Sequence, residues 1–539
     1  SASCREPAMA RMTPAWRWLA LALLASLSCQ GPSLQKDERG RTVLLSEEIA
    51  DAEDPDERRP SGPILVTRGD EERLGKEASQ QVEQQMGLLG DPELAAYLQE
   101  LGERLGRAVP RASRYEFRIV DDTQPNAFAL PGGHIFVSRG LLALASSEDE
   151  LANVVGHEIT HSARRHASRL EAIQRSQPLL ALPWVSAGNM ASYSRDMERE
   201  ADTHGQRIAA AAGYDPAAMA TFLAKLDKSQ RLVKGYSRLP WFFDTHPGTR
   251  ERVGVNSVQA REIRWQRDRS LGDTRERLLS RLDGLAFGPR PEAGFFEGRS
   301  FLHPVMDFQI LFPPGWKVSN TGSAVGAQEP LGDAVIFLEA VAQHPSVVDA
   351  ALAFLDKAPR GSDLRDDQAI SIGGLDGWRI ELAFPGPGGR LLGIVTWIDR
   401  GDIIFRISSI TRMSAAKRFR GRMLAAPRSL RRLSPEQKQG IRAQRIRLVE
   451  ARPGERIDAL ASRTRSDVEA LRLAVLNGVP PNHSFQGGET VKIVRDERWT
   501  APEVSAAPPP LAEGGPLDLA AWVSPEDRQG PLGLPDAPP

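Results

Sequence analysis

The sequence predicts a multidomain α+β protein: a mostly helical domain with a small sheet, then an α+β domain, then a small terminal unit. Three observations lead there. The chain has 539 residues, room for about three domains of ~150 residues each. Apolar residues recur at helical spacing up to about residue 226, whereas strand-like runs dominate from Phe295 onward. Finally, 41% of residues are hydrophobic and 26% charged, with 69 Lys+Arg against 70 Asp+Glu and a net charge of −1. That composition excludes a membrane channel or a wholly disordered chain. The near-zero balance gives no global reason to expect nucleic acid as a partner.

The N-terminus reads as a targeting segment. The two cysteines, Cys4 and Cys29, both lie there, so neither a disulfide framework nor a cysteine metal site is available to the body of the protein. Arg11 and Arg17 flank a short apolar run, Leu19 to Leu27, and small residues Ser26 and Ser28 precede Cys29. This is the layout of a secretory signal over 1–28, too short to span a bilayer. Cys29 stands where a bacterial lipoprotein carries its acylated cysteine, and Gln30 resembles the outer-membrane-sorted type. The expected location is the periplasm, after secretion across the inner membrane, with a lipid anchor to the outer membrane through Cys29. Residues 29–62 are polar and charged and are expected to be a flexible linker.

The first folded domain is expected over 63–265. Glu71 to Met86 and Pro92 to Val109 read as amphipathic helices, the second with Leu94, Tyr97, Leu98, Leu101 and Leu105 on one face. Tyr115, Phe117 and Ile119 alternate with polar residues as in a half-buried strand. Asn126 to Leu130 and Ile135 to Ser138 flank Pro131-Gly132-Gly133 and predict a β-hairpin. Ser147-x-x-Glu150 predicts a capping box for a helix running to about Leu170. Leu179 to Val185, broken by Pro183 and preceded by Pro178, is expected to be a loop or short helix. Further helices are expected from Ser194 to Ala212 and from Asp215-Pro216 to about Leu226.

The chemistry concentrates in V-V-G-H-E-I-T-H, which places His157, Glu158 and His161 in the predicted capped helix. Residues i and i+4 share a helix face, so His157 and His161 can hold one ion. Zinc suits two imidazoles and a carboxylate, with a position left for water, and Glu158 beside the first ligand can act as general base. With 9 histidines in the chain, a chance H-E-x-x-H is expected on the order of 0.01 times. The third ligand is expected from SRDMEREADTHGQR. Glu198 and Asp202 are four apart and share a face. Glu198 is therefore assigned as ligand, and Asp202 as acceptor of a ligand histidine's free N–H. His134 and His204 are expected to be non-ligands.

His157-Glu158-x-x-His161, then Glu198-x-x-Ala201-Asp202, then Thr245-His246-Pro247 resembles the zinc metallopeptidase family that includes the CAAX prenyl protease, HtpX and BepA. Asn126-Ala-Phe-Ala-Leu-Pro-Gly-Gly133 is similar to its soluble secreted branch. The resemblance covers roughly residues 63 to 260. It implies a mostly helical gluzincin-like (zincin) fold and a metalloendopeptidase with one Zn2+ per chain. Implied partners are unfolded or misassembled envelope proteins and the outer-membrane assembly machinery. It further implies that His246 lies over the cleft, either stabilising the oxyanion or capping the zinc in a latent state. Arg252 is implied as its companion, with Arg250 and Arg261 as competitors; His166 after Arg165 is similar to a family pair without an assigned role. Strand Asn126, Ala127, Phe128, Ala129 is expected to bind substrate by adding it as an extra strand, alongside its plain use in stabilising the sheet. The rival readings are a latent protease acting mainly as chaperone or assembly factor, and a peptidoglycan-associated scaffold.

Residues 266–295 are expected to be a linker and 296–436 an α+β domain without a catalytic constellation. Its strands are expected within Phe301–Trp316, Ala334–Ala340, Trp378–Ala383, Leu391–Trp397 and Ile403–Ile410. Its helices are expected at Val348–Leu355 and Ala415–Leu424, with Trp316, Trp378 and Trp397 as core. Residues 437–496 resemble a LysM module of β-α-α-β order, with strands Arg447–Ala451 and Glu489–Val494. That resemblance implies binding of N-acetylglucosamine polymers, hence peptidoglycan; a structural or docking module is the alternative. The Pro-rich tail, 497–539, is expected to be disordered.

Overall fold

A computed structural model describes residues 68–109, 114–168, 193–232, 242–247, 249–320, 324–341, 344–386, 389–401 and 403–500. Cys29, the linker to residue 62, the stretch Leu179 to Val185 and the tail from residue 501 lie outside these residues. Among the described residues the architecture is mixed α+β, and no helix is long and apolar enough to cross a membrane.

The helical part begins with α1 (Arg68–Met86) and α2 (Pro92–Gly106). Asp91 caps α2 by accepting the Leu94 N–H, Pro92 occupies the first turn, and the predicted apolar face is buried. Strands β1 (Glu116–Val120), β2 (Ala127–Ala129) and β3 (His134–Ser138) form a sheet of order β1-β3-β2, with β3 parallel to β1 and antiparallel to β2. The predicted hairpin is therefore present as β2–β3, and β2 is an edge strand. Its turn needs φ of 77° at Gly132 and 88° at Gly133, where a side chain would be strained.

Helices α3 (Arg139–Leu144), α4 (Glu148–Ala163), α5 (Arg195–Ala211) and α6 (Ala218–Leu232) follow, then the short α7 (Phe242–Thr245) and α8 (Thr249–Glu262). Ser147 caps α4 by accepting the Glu150 N–H, but Glu150 turns its own carboxylate to the Ser146 N–H, 2.7 Å away. Every residue of α4 from Glu148 to His161 is buried, so this helix runs through the core. It is interrupted after Ala163, because Arg165 adopts left-handed backbone (φ 55°) and breaks the helical path; residues 166–168 are helical again, and Leu170, the expected end, lies outside the described residues. Helix α6 likewise starts at Ala218, two residues beyond Pro216.

Residues 266–295, expected as a linker, are ordered. They contain α9 (Thr274–Leu279), and Leu271, Leu278, Leu279, Leu282 and Leu285 are buried in the helical core. Strands β4 (Phe295–Glu297), β5 (Ser300–His303) and β6 (Phe308–Leu311) form a small sheet. The run Phe301 to Trp316 is thus divided by a turn that puts Asp307 at φ 52°.

A seven-stranded sheet follows, built from β7 (Lys317–Asn320), β8 (Val325–Gln328), β9 (Ala334–Val341), β10 (Asp363–Ile372), β11 (Leu375–Gly386), β12 (Gly389–Asp399) and β13 (Ile404–Arg412). Its order is β10-β11-β12-β13-β9-β8-β7, antiparallel throughout. Period-two alternation serves both faces. Val335 and Phe337 pack with α10 (Val347–Asp356), whereas Ile336 and Leu338 pack with Phe419 and Met423 of α11 (Ala416–Arg428). Trp316 and Trp397 are core residues as expected; Trp378 is half-buried.

After α12 (Pro435–Gly440), the last unit runs β14 (Arg442–Glu450), α13 (Ile457–Thr464), α14 (Ala470–Asn477) and β15 (Thr490–Arg498). It is joined to the helical part. Residues 284–287 exchange backbone hydrogen bonds with Gln444 and Ile446 of β14. Lys492 of β15 donates its ammonium to the Ala143 and Ala145 carbonyls, 2.7 and 2.6 Å away, at the C-terminal end of α3.

Candidate metal centre

The site is assembled by two helices in unusually close contact. A Cβ on Gly156 of α4 would lie 2.8 Å from the Gly205 carbonyl oxygen, and one on Gly205 of α5 would lie 2.7 Å from the His157 nitrogen. Only a glycine pair lets the two backbones approach this far. The approach brings Glu198 and Asp202 of α5 against His157 and His161 of α4.

His157, His161, Glu198 and His246 each offer a ligand atom, all within 4.8 Å of one another and all buried. His157 Nε2 lies 3.0 Å from His161 Nε2 and 3.3 Å from His246 Nδ1. Glu198 Oε1 lies 3.3 Å from His161 Nε2 and 2.9 Å from His246 Nδ1. Donors bound to one tetrahedral zinc at about 2.0–2.1 Å sit roughly 3.3–3.4 Å apart, so these separations fit a single ion. The charges point the same way: Glu158, Glu198 and Asp202 are all buried, and among the described residues Arg252 is the one buried guanidinium that touches Glu198 and Asp202. Among the described residues, both oxygens of Glu158 and His246 Nε2 make no hydrogen bond, although His246 Nε2 faces Glu158 Oε1 at 3.6 Å.

Burial pushes the Glu158 carboxyl above the usual range, and neighbouring Glu198 adds to this against the pull of His246 and His157. Burial acts the same way on Glu198, yet His246, His161 and Arg252 outweigh it and hold Glu198 well below the carboxylate range. Burial raises Asp202 as well, but Arg252 and His157 together outweigh it, and the carboxyl is lowered. His161 is held well below its ordinary value, first by burial. His246 is raised, since Glu198 and Glu158 overcome the effect of burial.

The structure places Asp202 as the spacing requires: its Oδ1 is 3.0 Å from His157 Nδ1. Arg252 bridges both acids, with Nη1 2.5 Å from Glu198 Oε2, and Nε and Nη2 2.8 and 2.6 Å from Asp202. Its Nη1 also donates to the His246 carbonyl, 3.2 Å away. Asn256, not foreseen, donates to Asp202 at 2.8 Å. His134 lies 3.1 Å from Glu116 and His204 3.1 Å from Arg164; neither belongs to the cluster.

The edge strand departs from expectation in one respect. Asn126, Ala127, Phe128 and Ala129 are all buried, and Phe128 stacks on Phe136. Their side chains are committed to the core, so only the main chain of β2 is left for a substrate. Tyr193 is already there: its hydroxyl donates to the Ala129 carbonyl at 3.4 Å, and its ring stacks 3.9 Å from His161. No spacing signal in the sequence marked Tyr193.

Two histidines and a glutamate on α4, with a carboxylate from an adjacent helix, make a buried donor set of the H-E-x-x-H kind. More narrowly, residues 91–187 and 184–255 match the family described as Peptidase family M48. Similar proteins are named accordingly. A beta-barrel assembly-enhancing protease of Escherichia coli K12 is 32% identical over 243 residues, 40% of this chain and 49% of that protein. Its namesake in Yersinia pestis is 31% identical over 269 residues, 45% and 53%. The mitochondrial metalloendopeptidase OMA1 of Schizosaccharomyces pombe is 30% identical over 155 residues, 26% and 45%. The chain thus spans about half the length of the relatives it matches.

Proposed function

We propose that this chain is a zinc-dependent endopeptidase of the bacterial cell envelope that hydrolyses peptide bonds of unfolded or misassembled proteins. The observation that carries the reading is Glu158. It is a fully buried carboxylate beside the His157, His161, Glu198 donor set, and among the described residues neither of its oxygens makes a hydrogen bond. His157, His161 and Glu198 would hold the ion, which when bound supplies Lewis acidity toward a peptide carbonyl and an attacking water. Glu158 would take a proton from that water and pass it to the leaving amine. Asp202, with Oδ1 3.0 Å from His157 Nδ1, favours the tautomer of that ring with its proton on Nδ1. Arg252 bridges the two acids of α5 and, through the His246 carbonyl, holds the chain after α7 against them.

For His246 the geometry supports the latch reading. Its Nδ1 sits among the donor atoms, where it would take the place of water. Release of His246, together with withdrawal of Tyr193 from Ala129, would open both the ion and the β2 edge to a substrate strand. The gluzincin-like description of this domain rests on the same helix-borne motif. The names of the relatives support outer-membrane protein assembly as the setting. The periplasm, with a lipid anchor at Cys29, is the matching location. For residues 437–496 the contacts of Lys492 and β14 support a docking role; a muropeptide pull-down tests whether this unit also binds glycan.

The test uses the purified chain with zinc and unfolded casein. Glu158→Gln is expected to keep the metal and lose turnover. His246→Ala is expected to raise turnover; loss of turnover instead would assign His246 to the oxyanion. Wild type and His246→Ala proteins that both hold zinc and both leave unfolded substrate uncleaved would contradict the endopeptidase reading.

A further inference from the structure

We infer that His166 and Glu200 are positioning residues that fix the ring of His161, as Asp202 fixes that of His157; the inference rests on the metal-centre reading above. His161 turns Nε2 toward His157 Nε2 and Glu198 Oε1. The lone pair that would bind an ion therefore belongs on Nε2, and the proton on Nδ1. That Nδ1 lies 2.9 Å from Nδ1 of His166. A neutral imidazole has one donor and one acceptor nitrogen. His166 must then accept at Nδ1 and carry its own proton on Nε2, which lies 3.2 Å from Glu200 Oε2. Glu200 is anchored in turn, with Oε1 3.2 Å from Arg164 Nε. One tautomer of each ring satisfies the whole chain, from His161 through His166 to Glu200.

The backbone is shaped for this contact. His166 is five residues after His161, a spacing that would leave the shared face of a continuous helix. The break at Arg165 (φ 55°) turns the chain back, so the two rings meet edge to face at 4.9 Å and 78°. His161 and His166 are both buried, whereas the Glu200 side chain keeps 24% of its surface exposed at the rim. The two ligand histidines are thus oriented differently. His157 reaches its carboxylate directly, and His161 reaches one through an intervening imidazole. Removal of His166 would leave the His161 Nδ1–H without this acceptor and free the ring to take the other tautomer.

The test measures zinc affinity of the full chain, stripped and reloaded in competition with a chromophoric chelator, with the visible spectrum of the cobalt-substituted protein as a second readout. His166→Leu is expected to weaken zinc binding by about 10–100-fold and to alter the cobalt spectrum. His166→Gln, whose amide can accept from His161 and donate to Glu200, is expected to restore most of both. Glu200→Ala, at the half-exposed end, is expected to weaken binding by a smaller factor while the metal-free protein melts as wild type does. Wild-type affinity in His166→Leu would overturn the inference. So would a glutamine variant no better than the leucine one, combined with wild-type affinity in Glu200→Ala. Wild type that takes up no zinc would overturn the metal-centre reading itself, and this inference with it.

Discussion

The metal centre and the junction with the terminal unit are both buried clusters of charged side chains, yet only one has bonding capacity left over. At the junction, Lys225 donates to Ser146 Oγ and to Glu150, Glu150 accepts the Ser146 N–H, and Lys492 ends on the Ala143 and Ala145 carbonyls. Arg275 spans the two parts, donating to the Ser146 and Thr490 carbonyls. Donors and acceptors are matched there, so the cluster fastens one part of the chain to another. In the metal centre the carboxylates outnumber the guanidinium, and among the described residues the oxygens of Glu158 make no hydrogen bond. Buried charge that is matched is structural; buried charge of one sign, with unmet lone pairs, specifies a cation.

Substitutions should separate the two regions. The largest effect is expected at Glu158. In Glu158→Gln, hydrolysis of unfolded casein should fall by about 10²–10⁴-fold, while metal analysis still finds zinc. Arg252→Met should come next. It leaves Glu198 and Asp202 without their buried counter-charge, at a cost of about 3–5 kcal/mol in denaturant melts of the metal-free protein. Added zinc should recover part of that loss, as expected of a cluster that awaits a cation.

Lys492→Met is the matching test at the junction, and zinc should make no difference to it. Burial holds the Lys492 ammonium well below the usual lysine range, so the unfolded chain binds more protons than the native one. Stability contributed by Lys492 must therefore rise as pH increases toward the ordinary lysine pKa. At about pH 10 the variant should be less stable than wild type by ~1–3 kcal/mol, the cost of stranded buried carbonyls. Toward pH 7 the gap should narrow or reverse; a gap that widens on acidification would contradict this account. The smallest effect concerns His303, whose pKa burial lowers to about 4. Its contribution is complete above the ordinary histidine value of about 6.5 and is lost as pH falls through about 4. His303→Gln should flatten that limb of a pH–stability profile and leave turnover unchanged.

Much of the centre was legible in the sequence, because helical spacing is a local rule. His157 and His161 share a face at i and i+4, and so do Glu198 and Asp202; the structure pairs those two faces. Other features depend on tertiary contact. The Gly156–Gly205 approach joins residues 49 apart in the numbering, and neither glycine stands at a predicted turn. His166 could not be read from periodicity, since extending the helix to about Leu170 places it off the ligand face, and only the break at Arg165 returns it. Lys492 sits in a strand where a lysine reads as solvent-facing, and its burial comes from α3, nearly 350 residues earlier in the chain. In the sheet domain, alternation foretold the strands, but not the turn at Asp307 that divides the first run.

The central claim is that His157, His161 and Glu198 converge on one divalent cation. Calorimetric titration of the metal-stripped chain with zinc tests it most directly. The account predicts one zinc bound per chain, with binding severely weakened in both His161→Ala and Glu198→Ala variants that still fold. Absence of binding by wild type, or zinc bound equally well by the Glu198→Ala variant, would contradict it.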